Sequence, residues 1–142
     1  MSAYVDSSFL VSSYITDQHS MRVDRCMASS PSVWFTEFNR AELASAISQQ
    51  VFLKRLTPAD AARVWSDFQR DCADGVWTRV EFPYRSWETC IDLARRHGPA
   101  LGVRTLHSLH VACALELQAQ KFWTFDERQA RLAEAVGLDT SS

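Results

Sequence analysis

Four short runs rich in β-branched and aromatic residues punctuate the chain: "AYVD" at 3–6, "SVWFT" at 32–36, "VWTRVEF" at 76–82 and "KFWTF" at 121–125. One or two stretches of helical periodicity separate each run from the next. Connections of that length rule out hairpins, so the four strands pair in parallel with helices packed on both faces. The fold class that follows is α/β, a three-layer α/β/α arrangement around a central parallel sheet.

The intervening helices carry their own marks. "SSFLVSSYI" follows the first strand, residues 18–29 form a second helix, and Phe38, Ala41, Ala44, Ile47 and Val51 line one stripe of a third, over 37–56. "TPADAARVWSDFQRDCADG" opens with an N-cap Thr57 and Pro58 at the first helical position, and closes on Gly75. Further helices are expected over 84–97, ending at Gly98–Pro99, over 105–118, and over 127–136, stopping at Gly137. "LDT" at 138–140 is expected to add an edge strand.

A chain of 142 residues is the size of one domain, here 1–142, and buries ~70% of the surface its unfolded form exposes. Hydrophobic residues are 46% and charged ones 23%, which supplies a core and leaves only "DTSS" at 139–142 as a tail. A net charge of -2 argues against a protein that coats nucleic acid by electrostatics alone. Cys26, Cys72, Cys90 and Cys113 are widely spaced and include no C-x-x-C, so they read as reduced, packed thiols. The N-terminal stretch lacks a basic region and is interrupted by Asp6, and no apolar run reaches the ~18 residues of a membrane span. A cytoplasmic protein with no membrane partner is expected.

Open parallel sheets bind ligands outside the carboxyl ends of their strands. Asp6 closes the first run, Asp126 follows the last, and Glu42 lies about a turn and a half into the helix after the second. If those ends converge, three carboxylates meet in one cleft. Asp6 and Asp126 also have a plainer reading as helix N-caps, and Asp126 with Gln129 has capping-box spacing. Glu42 is aligned with Phe38 and Ala46 beside the apolar stripe, where a carboxylate is costly without a cation or donor; the competing reading is a solvated flank of the helix. His107 and His110, three apart on a helix, have the spacing to chelate a transition metal; the competing reading of His110 is a packed histidine among Leu109, Val111 and Ala114.

Three segments, "YVDSSFLV", "NRAELASAI" and "RTLHSLHVACALELQAQKFWTFDERQARLAEAVGL", make the chain resemble PIN-domain proteins, and among them VapC-type toxins of bacterial toxin–antitoxin pairs. The resemblance covers essentially the whole chain. It implies a Mg²⁺- or Mn²⁺-dependent endoribonuclease that acts on RNA, forms a homodimer and is inhibited by a small cognate antitoxin. Asp6, Glu42 and Asp126 match acidic positions of the family site, as metal ligands or as the base that orients water, and Ser8 and Thr124 match supporting polar positions. Arg40 and Arg104 are candidate phosphate contacts, with plain surface charge as the alternative.

The family frame R-x-x-D-x-L-H reads "RTLHSLH" here, so His107 stands at the aspartate position and His110 at a histidine kept for structural reasons. A carboxylate ~4 Å from a dication contributes roughly 8 kcal/mol of gross attraction at an effective dielectric of 20. Most of that is offset by desolvation, yet ~1.4 kcal/mol lost is already tenfold in affinity. Three readings follow: a ribonuclease that tolerates His107 and favours Mn²⁺, an impaired PIN fold that binds antitoxin or RNA without cutting, and a metal-binding protein built on His107 and His110.

Overall fold

The computed structural model describes residues 1–142. In chain order the elements are β1 (Ser2–Val5), α1 (Ser7–Tyr14), α2 (Ser20–Met27), β2 (Ser32–Phe35), α3 (Glu37–Phe52), α4 (Pro58–Ala73), β3 (Trp77–Arg79), α5 (Ser86–Leu101), α6 (Thr105–Glu116), β4 (Lys121–Trp123) and α7 (Glu127–Ala135). The strands form one sheet in the order β3-β2-β1-β4, every pair parallel, as the spacing of the runs requires.

Period-2 alternation assigns each strand residue to one of two apolar layers. Ala3, Val5, Val33, Phe35 and Trp123 face a core completed by Phe9 and Leu10 of α1, Leu43 of α3 and Phe68 of α4. Tyr4 and Phe122 face the opposite layer, with Leu93 of α5, Leu109 and Val111 of α6, and Leu132 of α7. β1 is therefore covered on both faces, and each fully buried side chain of this size contributes ~1.5–3 kcal/mol.

Helix boundaries follow local chemistry at α4 but not throughout: α3 stops at Phe52 instead of reaching Leu56, the chain turning at Lys54 with a left-handed φ of 58°. Thr57 caps α4 by accepting from the Asp60 amide, with Pro58 at the first position. α5 does not end at Gly98–Pro99 as its sequence suggests, but continues to Leu101 and stops at Gly102, whose φ of 64° is left-handed. Leu101 packs into the second core, and that burial carries the helix through a glycine and a proline that local propensity would place outside it. β3 and β4 are shorter than the runs that announced them. The edge strand after α7 reduces to one parallel bridge, Asp139 to Lys121.

Candidate functional site

The sheet order places a topological switch between β1 and β4: the chain moves from β1 outward through β2 to β3, then returns to the other side of β1. Asp6 leaves β1 at that crevice and Thr124 leaves β4 beside it. The Asp6 amide still donates to the Trp123 carbonyl (3.2 Å), and the Thr124 hydroxyl donates to Asp6 Oδ2 (2.7 Å). Asp6 Oδ1 accepts from Ser8 Oγ (2.6 Å) and from the Phe9 amide (3.1 Å). Asp6 therefore is an N-cap, and it is also a carboxylate only 4% exposed, fixed by two hydroxyls beneath the crevice. Burial pushes its pKa above the ordinary carboxylate value, although the nearby His110 charge and the hydroxyl and amide donors pull the other way.

Asp126 also caps a helix, α7, through Oδ1 and the Gln129 amide (2.8 Å), which leaves Oδ2 facing Nε2 of His107 at 3.6 Å. Glu42 reaches the crevice from α3. Its Oε1 accepts from Ser7 Oγ (2.5 Å) of α1 and from Nε2 of His110. Burial would raise the Glu42 pKa, but hydrogen bonding to His110, the charges of His110 and His107 and the Ser7 hydroxyl together hold it below the usual range. These elements enclose an open cleft of about 680 Å³ whose wall includes Ser7, Ser8, Glu42, Leu106, Phe125 and Asp126.

His110 is a packed histidine and more. It is buried, stacked on Phe38 at 4.3 Å, with Nδ1 bonded to the Tyr4 hydroxyl (2.7 Å) and Nε2 to Glu42. Both ring nitrogens are engaged, so His107 and His110 do not form a chelating pair, and the two-histidine metal site is not what this spacing builds. Behind them Asn39 accepts from Tyr4 (3.2 Å) and from the Thr36 amide (2.9 Å), and donates to the Val5 carbonyl (2.6 Å). A chain of contacts thus runs from the end of β1 to the one oxygen of Glu42 that it immobilises.

Tyr4, Ser7 and Asn39 were not singled out by sequence reasoning. The signals available were a hydroxyl in the middle of an otherwise apolar strand and the T-x-x-N spacing at the start of α3. His107 lies in the first turn of α6 facing Asp126, with Nδ1 buried and without a partner. The two arginines separate: Arg104 is exposed at the N-cap of α6, whereas Arg40 pairs with Glu37 (3.1 Å), lies over Trp65 and lines a different hollow of about 390 Å³. Arg40 is not brought to the acidic cleft.

The sequence of residues 3–135 matches the PIN domain family. The chain belongs to the PIN domain family. No curated protein matches it by sequence. Solved structures share the fold of this PIN domain at low identity. FitAcB from Neisseria gonorrhoeae has a TM-score of 0.70 at 12% identity, covering 99% of this chain and 96% of that one. VapBC2 from Rickettsia felis, bound to a DNA fragment from its promoter, has a TM-score of 0.69 at 12% identity, covering 99% and 98%. Mycobacterium tuberculosis VapC20, a sarcin-ricin loop cleaving toxin, has a TM-score of 0.69 at 16% identity, covering 96% and 95%. No helix of the PIN domain is long and apolar enough to cross a membrane.

The donors at the cleft suit a hard dication, because all three carboxylates offer oxygen and each keeps one oxygen with lone-pair capacity to spare. These are Glu42 Oε2, Asp126 Oδ2, which faces His107, and Asp6 Oδ2, which accepts from the Thr124 hydroxyl alone; the other three oxygens are committed to hydroxyls, amides and His110. No three His, Cys, Asp or Glu side chains converge tightly enough to enclose a bare ion. Mg²⁺ dehydrates reluctantly and is commonly held by one or two carboxylates and several waters, so the donor set fits a hydrated ion rather than a cage.

Proposed function

We propose that this PIN domain is a divalent-metal-dependent endoribonuclease, a VapC-like toxin that hydrolyses RNA phosphodiester bonds and is restrained by a small cognate antitoxin. The observation that carries the reading is the meeting of Asp6, Thr124 and Asp126 at the β1–β4 switch point, with Glu42 on the same cleft. The cleavage of the sarcin-ricin loop by VapC20 supports RNA as the substrate class, and the VapBC2 and FitAcB neighbours support the antitoxin. Homodimerisation and a cytoplasmic setting are the family expectation and belong to the same proposal.

Asp6, Glu42 and Asp126 would hold Mg²⁺ or Mn²⁺. Such an ion supplies a water of lowered pKa and positive charge for the leaving oxygen. Ser8 and Thr124 fix the Asp6 carboxylate, so it need not reorganise when the ion arrives. His110 and Ser7 pin one oxygen of Glu42, which leaves the other to orient water or take its proton. Arg104, exposed at the N-cap of α6 two residues before the cleft-lining Leu106, would meet a phosphate. His107 substitutes an imidazole for a carboxylate against Asp126, and imidazole tolerates Mn²⁺ better than Mg²⁺.

The test is cleavage of mixed RNAs by purified protein in Mg²⁺, Mn²⁺ or chelator, with and without His107→Asp. The expected result is cleavage by both proteins that chelator abolishes, with the substitution raising the rate most in Mg²⁺. Cleavage by the aspartate variant alone would select the second reading, a PIN fold that binds without cutting, which the His107–Asp126 contact favours. Cleavage by neither protein would overturn the ribonuclease reading.

A further inference from the structure

Four rings stack in a column that starts in the core and ends at the cleft. Trp123 lies against Phe9 (5.5 Å between centroids, 22° between planes) and Phe9 against Phe125 (5.6 Å, 13°). Phe125 lies against His19 (4.2 Å, 6°). The first two rings are buried, whereas His19 is partly exposed and borders both the 680 Å³ cleft and an adjoining hollow of about 190 Å³. Asp126 also borders both, so the outermost ring stands next to the carboxylates.

We infer that the imidazole of His19 is a stacking platform for one unpaired base of single-stranded RNA, the nucleotide adjoining the phosphate held at Asp6, Glu42 and Asp126. The inference rests on the ribonuclease reading and specifies how its substrate is gripped. Bases splayed from structure stack on planar aromatic or histidine faces without sequence readout. A platform works best when it is rigid before binding, and His19 is. Its backbone amide donates to Asp17 Oδ1 (2.8 Å), Ser12 Oγ holds the other Asp17 oxygen (2.7 Å), and its carbonyl starts α2 by accepting from Arg22 (3.0 Å). One ring face is pinned by Phe125, itself braced by the Arg22 guanidinium 5.4 Å from its centroid.

His19 makes no side-chain cap to α2, so removing its ring leaves the helix start intact. The experiment uses RNA octamers carrying 2-aminopurine at successive positions, with Ca²⁺ in place of Mg²⁺ or Mn²⁺, and reads quenching and Kd for wild type, His19→Ala and His19→Phe. The expected result is quenching at one position, a Kd roughly 5- to 150-fold weaker in His19→Ala, and near-wild-type binding in His19→Phe, at unchanged melting temperature. The same octamers, end-labelled, are assayed for cleavage in Mn²⁺. If wild type binds or cuts and His19→Ala matches it within twofold, the platform is overturned and the ribonuclease reading stands. If wild type neither binds nor cuts any octamer, both fall together.

Discussion

Glu42 is positioned by buried neighbours more than by its own helix. Tyr4 sits fully buried between His110 and Asn39, and its hydroxyl is the only link between them. Tyr4→Phe keeps the ring and strips that link, leaving a buried imidazole nitrogen with no partner; unfolding in urea should show a loss of about 1–3 kcal/mol. The acids also leave a signature in pH. Asp6, raised by burial, binds its proton more tightly folded than unfolded, so its unfavourable contribution is absent below the ordinary carboxylate value and grows as pH rises through the folded value. Glu42, held low chiefly by His110 against the effect of burial, works in the opposite sense, and its stabilisation is lost as pH falls through the folded value. Urea midpoints of the metal-free protein from acid to neutral pH should therefore rise relative to wild type at neutral pH in Asp6→Asn, and fall there in Glu42→Gln. Millimolar Mg²⁺ should raise the melting temperature of wild type at neutral pH and leave Asp6→Asn unmoved. The acids themselves were legible because each follows a strand or sits beside an apolar stripe. The groups that hold them were not, since a tyrosine in a strand or an asparagine near a helix start has the same local pattern whether or not it touches a carboxylate.

Among the elements, α5 marks where sequence rules yield to packing. Gly98 and Pro99 lie inside the helix, and the proline supplies no amide to its last turn. A Cβ added at Gly98 meets nothing within 4 Å, and its backbone is helical. Gly98 precedes Pro99, however, whose Cδ crowds a Cβ on the residue before it in helical backbone, so Gly98→Ala should change stability by no more than about 0.5 kcal/mol in a denaturant titration, the helical gain of alanine being offset. Gly102, also uncrowded but at φ +64°, should respond more strongly, with Gly102→Ala costing about 1 kcal/mol. The contrast separates a glycine that is merely tolerated from one the turn requires. The four strands, by comparison, were readable because β-branched and aromatic clusters recur at fixed remove from helices. Their true lengths were not, because the ends of "VWTRVEF" and "KFWTF" have no neighbouring strand to pair with.

For the molecule as a whole, parallel pairing followed from the length of the connections, but strand order did not. Nothing local distinguishes a β4 that joins β3 from one that returns to β1; the return is decided by how α5, α6 and α7 bury their stripes against Tyr4 and Phe122. That return creates the switch point, and with it the site. The central claim is that the cleft there is a metal-dependent ribonuclease centre, and Asp126→Asn tests it with little structural confusion, because asparagine caps a helix as well as aspartate does. The measurement is the single-turnover rate of RNA cleavage in saturating Mn²⁺ for wild type and Asp126→Asn, with melting temperatures recorded alongside. The account predicts a fall of about 100-fold or more at unchanged stability, since a ligand oxygen is lost from the centre. Equal rates in the two proteins would contradict it.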